Sequence, residues 1–157
     1  MSGEIIAIIL LSVLATLLVA AAVTDLRSRI ISNRLNLAIA ALAPLYWLAN
    51  GLAPWPDMAV QIAFGIGIFG LFAVLFAFGL MGGGDVKMLG AIALWFPWTA
   101  TMTLLIVMAM LGGVITLATV IHHRMKKREG QPEVPYGVAI SLAAMWIVGE
   151  RILYQFA

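Results

Sequence analysis

A chain of 157 residues, 64% of them hydrophobic and only 10% charged, with a mean hydropathy of +1.09, is far more apolar than the roughly half-apolar make-up of a soluble domain. Composition therefore excludes a water-soluble fold and predicts a single integral membrane domain over 1–157, built from apolar blocks that cross hydrocarbon as helices. Cysteine is absent, which excludes disulfides, thiol catalysis and thiolate metal sites together, and the net charge of +2 says less than where the charges sit.

Charges, prolines and glycine clusters divide the chain into six apolar segments at about 4–24, 35–52, 58–81, 86–96, 99–121 and 135–154. The expected fold is all-α, a bundle of six transmembrane helices. The first segment opens on Met1-Ser2-Gly3-Glu4, an acid where a secretory signal carries bases, and its stretch from Ile5 to Val23 is too long for a signal's hydrophobic region. It reads as a retained helix. A polar joint at 25–34 follows, holding Asp25, Arg27, Arg29 and Arg34. After the second segment, Pro54 and Pro56 introduce Asp57, the expected N-cap of the third helix.

Inside the third segment, GIGIFG at 65–70 matches the dinucleotide fingerprint, but that motif requires a preceding strand and a βαβ unit, which a lipid-spanning helix cannot supply. Ala63, Gly67, Gly70, Ala73 and Ala77 there are expected to let neighbouring helices approach closely. The next stretch, LMGGGDVKMLGAI at 80–92, breaks the apolar run with three glycines, an aspartate and a lysine. Glycine disfavours a continued helix, so Gly82-Gly83-Gly84 is expected to be a non-helical loop before a short fourth helix. Eleven residues at ~1.5 Å each cover only about half of the hydrocarbon thickness. An extended glycine run would supply part of the missing rise, and its backbone groups must be buried in protein or meet water, which implies a hydrated cleft lined by Asp85. The fifth segment ends in His122, His123 and the basic run Arg124 to Arg128. Adjacent histidines diverge on a helix and no carboxylate partner follows, so no metal site is expected, and the bases read as contacts to anionic lipid.

With six crossings, the joints at 25–34, 82–87 and 122–134 share one face and hold eight of the nine Lys and Arg residues, Arg151 lying opposite. The positive-inside rule puts that face in the cytoplasm and both termini outside. Tyr46, Trp47, Trp55, Trp95 and Trp98 cluster near the opposite turns, where interfacial aromatics are expected. Asp25 and Asp85 both lie on the basic face, sixty residues apart. Ionisable groups at membrane depth are costly and mark functional sites. Two carboxylates in one cleft hold a proton between them and titrate as a pair, the chemistry of an aspartic protease: one activates water and the other protonates the developing oxyanion. A serine–lysine dyad of Lys87 with Ser28 or Ser32 finds no support in the spacing.

Three stretches resemble the type IV prepilin peptidases, bacterial intramembrane aspartyl proteases with a GxGD motif. Gly82-Gly83-Gly84-Asp85-Val86-Lys87 fits GxGDxK, TDLRSRIISN at 24–33 is similar to the motif of the first aspartate, and VPYGVAI at 134–140 to the segment leading into the last helix. The resemblance implies that Asp25 and Asp85 are the catalytic pair, with Gly82 and Gly84 shaping the loop and Lys87, Asn33, Pro135, Tyr136 and Gly137 in support. It implies as substrate a prepilin, with a short basic leader and a hydrophobic helix, cut at the cytoplasmic face of the bacterial inner membrane. No cofactor, metal or nucleic acid is implied; the lipid bilayer is the other partner. Ser32 stands where the family usually has proline. Larger members carry paired CxxC motifs between the first two helices; here that joint is about ten residues, so the resemblance is to the compact form of tight-adherence (Flp-type) pili, without methyltransferase activity or zinc. Two rivals remain: a small cation- or proton-coupled transporter using the same acids as an ion site, and a presenilin-like protease, whose Tyr-Asp context Asp25 lacks.

Overall fold

The computed structural model describes residues 2–126 and 134–156. Six α-helices follow one another among the described residues: α1 (Ser2–Ser28), α2 (Asn33–Ala49), α3 (Ala59–Ala77), α4 (Gly83–Ala93), α5 (Trp98–Met125) and α6 (Tyr136–Phe156). Four helices, α1, α3 with the turn Pro54–Met58 before it, α5 and α6, are long and apolar enough to cross a bilayer. The chain is a membrane helical bundle, as its composition requires. Part of the basic run, Lys127 and Arg128, lies outside the described residues.

Each boundary has a local cause. α1 stops where Arg29 takes a left-handed φ of 57° and its N–H closes on the Asp25 carbonyl at 3.0 Å, an αL cap. Ser32 caps α2, its hydroxyl accepting from the Leu35 N–H at 3.2 Å. The residue in the place of the expected proline thus holds the loop by capping, worth about 1 kcal/mol. α3 ends at Gly79, where φ is 71° and the N–H groups of Gly79 and Leu80 return to the carbonyls of Phe76 and Leu75, a Schellman motif.

Two expectations about helix starts need correction. Of the three glycines, only Gly82 is extended, at φ −72° and ψ 140°, while Gly83 and Gly84 already form the first turn of α4. The non-helical loop is the stretch 78–82, and the helix starts early because glycine is tolerated in a first turn whose N–H groups need no intrahelical partner. Asp57 is no N-cap: it sits inside the turn Pro54–Met58 and accepts the Ala53 N–H at 3.1 Å. The winding begins at Pro54, so the acid reaches back to the residue before it.

The shortest helix is the most enclosed. α4 packs against α2, α3 and α6, and every residue from Met88 to Ala93 is buried. α1 packs on α2 and α6, and α5 on α6. α3 and α5 turn Val60, Ile66, Val74, Ile106, Met110 and Val114 outward, as helices bathed in lipid do. GIGIFG lies wholly within α3, as expected, but its close approach is misassigned: nothing lies near a Cβ placed on Gly67 or Gly70, whereas one on Gly65 would run into Leu94, and one on Gly90 would come within 2.9 Å of Phe69. Ala63 and Ala77 are likewise exposed, while Ala73, of the five, packs against the core as expected. The face of α3 that meets α4 carries Gly65, and hydropathy cannot distinguish that face in a helix apolar all round.

The aromatics at the end remote from Asp25 and Asp85 divide in two. Trp55 and Trp98 are exposed, but Tyr46, Trp47 and Trp95 belong to the core. Trp47 donates its indole N–H to the Leu94 carbonyl at 2.7 Å and Trp95 to that of Ile39 at 2.9 Å, satisfying the donors that burial would otherwise orphan. These three clamp α2 to the end of α4 instead of marking an interface.

Candidate active site

Asp25 falls in the last full turn of α1 and is 5% exposed. A carboxylate so enclosed needs partners, and they come from the far end of the chain. The Val138 N–H donates to its Oδ2 at 3.1 Å, and the Gly137 N–H is also turned to it. The first turn of α6, with its free N–H groups and the positive end of its dipole, thus cradles the acid. Gly137 is required for this approach, because a Cβ there would stand 2.9 Å from the Asp25 carboxyl carbon and 2.6 Å from Ile31.

Asp85 occupies the first turn of α4 and is half-buried. Its carboxyl folds back on Gly82, receiving that residue's backbone N–H in the manner of a capping box. The two acids are near enough for the charge of Asp25 to act on Asp85. Both line a cleft of about 820 Å³ at one end of the bundle, walled by Ser28 to Ile31, Gly79 to Gly84, Val134 and Tyr136. The three stretches singled out in the sequence converge on this one space. Arg29 on its rim supplies a positive charge close to Asp25.

The supporting residues fall into two groups. Gly82, Gly84 and Tyr136 line the cleft, Gly137 abuts Asp25, and Pro135 precedes α6, its carbonyl accepting the Val138 N–H at 3.2 Å. Lys87 and Asn33 instead meet each other: the Lys87 ammonium donates to Asn33 Oδ1 at 2.8 Å, tying the start of α2 to the start of α4. Lys87 therefore pairs with no serine. The Ser28 hydroxyl is spent on the Thr24 carbonyl at 2.8 Å and that of Ser32 on its cap.

One residue escaped the sequence reading. Asn36, 5% exposed, donates from Nδ2 to the Gly84 carbonyl at 3.1 Å and so grips the residue next to Asp85 from the side of α2. A polar amide one turn into an otherwise apolar helix was the available signal. His122 and His123 lie in the last turn of α5, and no group of metal-ligating side chains occurs among the described residues.

Residues 12–117 match the type IV leader peptidase family, a span that includes both aspartates. The chain is also similar to the prepilin leader peptidase/N-methyltransferases of Aeromonas salmonicida and of its strain A449, at 27% identity in each case over 143 residues. That alignment covers 85% of this chain and 46% of each relative, so the chain spans about half the length of the curated relatives it matches. No solved structure matches it.

Proposed function

The chain belongs to the type IV leader peptidase family, and from that premise we propose that it is an intramembrane aspartyl endopeptidase that removes the basic leader of Flp-type prepilins. Asp25 and Asp85 are the catalytic pair in this reading. The observation that carries it is their convergence: acids sixty residues apart in sequence line one cleft of about 820 Å³ in a membrane bundle, Asp25 held by the Val138 N–H and Asp85 by that of Gly82. With one proton between them, the ionised member takes a proton from water, which attacks the scissile carbonyl, and the protonated member donates to the oxyanion. Collapse of the tetrahedral intermediate returns a proton to the leaving amine, and the acids exchange roles. The walls contributed by Gly79 and Gly82 to Gly84 leave backbone groups free to bind an extended peptide.

The basic residues Arg27, Arg29, Arg34 and Lys87 lie around the same end of the bundle, which supports a cytoplasmic orientation for the cleft in the bacterial inner membrane. Both termini would then lie outside. A purified preparation in liposomes, incubated with an Flp prepilin, tests the reading by the mobility shift of the processed pilin. Asp25→Asn and Asp85→Asn should each reduce the rate at least about 1,000-fold, the scale set by loss of a positioned acid–base group. Leader removal that persists in either variant rules that aspartate out.

A further inference from the structure

A second hollow, of about 640 Å³, runs beside the catalytic cleft between α2 and α3, with α4 as its floor. On α2 it extends from Asn33 to Trp47, about 21 Å at ~1.5 Å per residue. Its lining is apolar except at one end, where Asn33, Asn36 and Lys87 gather. Gly90 and Ala91 of α4 line its floor. The polar end adjoins the reacting groups: Asn36 bonds the Gly84 carbonyl, one residue from Asp85.

Asn36 identifies the occupant. Its Oδ1 is buried without a hydrogen-bond partner among the described residues, a costly state for an acceptor. The Lys87 ammonium beside it is engaged by Asn33. A lipid acyl chain would fill the apolar length of the hollow but offers no donor to Asn36. A helix entering with its N-terminus at that end carries up to four backbone N–H groups with no partner of its own. Resting on the proposed prepilin cleavage, we infer that this groove seats the apolar helix of the substrate, the enclosed Asn36 amide turning on binding so that its Oδ1 accepts from the helix's N-terminal turn and the scissile bond is held at Asp85.

The absence of cysteine makes single-cysteine cross-linking direct. Ala40→Cys on α2 and Ile66→Cys on α3 report from the two walls, and Val114→Cys, exposed on α5, reports from ordinary lipid-facing surface. Each is paired in liposomes with a prepilin carrying one cysteine about one turn into its apolar helix, in an Asp25→Asn background so that the leader stays attached. Cross-links at both walls at least about ten-fold above the α5 position, as expected for a helix seated between them, support the groove. Equal cross-linking at Val114→Cys overturns it, as does wall labelling by a photoactivatable phospholipid that prepilin fails to displace. In the active background Ala40→Phe, which fills the groove, should raise KM about ten-fold with kcat within about two-fold, the signature of lost ground-state binding. Prepilin cleaved normally without wall cross-links sinks the groove alone; wall cross-links without any cleavage by the unsubstituted protein sink the peptidase and leave the groove standing.

Discussion

Asp25 and Asp85 face the same cleft but are held in opposite ways. Asp25 is buried and takes its hydrogen bonds from α6, the Val138 N–H lying 113 residues further along the chain. Asp85 is half-buried and turns back on Gly82, three residues before it in its own first turn. One acid is positioned by tertiary packing and the other by local capping. The contrast means that damage to α6 should act on catalysis as strongly as damage to the glycine motif itself.

That contrast can be broken most sharply at Gly137. A Cβ there would press on both Asp25 and Ile31, so Gly137→Ala should lower kcat about 100-fold, since a misplacement of about 1 Å at a reacting group carries that cost, while circular dichroism of the helices stays close to that of the unsubstituted protein. Undiminished turnover would show that α6 does not position Asp25. Next in size, Lys87→Met removes the bond to Asn33 that ties the two motif loops together and should lower kcat/KM about ten-fold, as loss of a hydrogen bond to a charged group costs about 1.5–3 kcal/mol. Asn33→Leu should do the same, and the double variant should be no worse than either single one. An additive double variant would refute the coupling.

Smaller effects sharpen the distinction between site and scaffold. Trp95→Phe deletes the donor to the Ile39 carbonyl, far from either acid. It should cost about 1–3 kcal/mol of stability by leaving that carbonyl unpaired, read as a lower midpoint of thermal unfolding in detergent, with prepilin turnover kept at low temperature. Smallest of all, Ser32→Ala should cost about 1 kcal/mol through the lost cap, and Ser32→Pro should recover part of it by presetting the loop. A large catalytic loss from Ser32→Ala would mean that the hydroxyl does more than start α2.

Much of this arrangement was legible beforehand, and for identifiable reasons. The helix ends show because a charge, a proline or a glycine is costly inside an apolar span, so Arg29 and Gly82 punctuate the chain near the end of α1 and the start of α4, whereas the stop of α3 at Gly79, two residues before the expected end of its segment, was not read. What stayed hidden was which side of each helix meets another. In a soluble bundle polarity marks the outer face, but here outward and inward faces are equally apolar. Trp47 and Trp95 therefore looked like interfacial aromatics and are core donors, and Gly67 and Gly70 looked like packing sites and are open.

Sequence by itself determined a membrane bundle, its helices and the two acids, because hydropathy and helix-breaking residues act locally and leave a local trace. Tertiary structure alone decided that the first turn of α6 cradles Asp25, that Asn36 grips the Gly84 carbonyl, and that Lys87 answers Asn33 instead of an acid or a serine. Those are pairings between residues far apart in the chain, and nothing in the spacing of one helix states which groups of another will be satisfied by it.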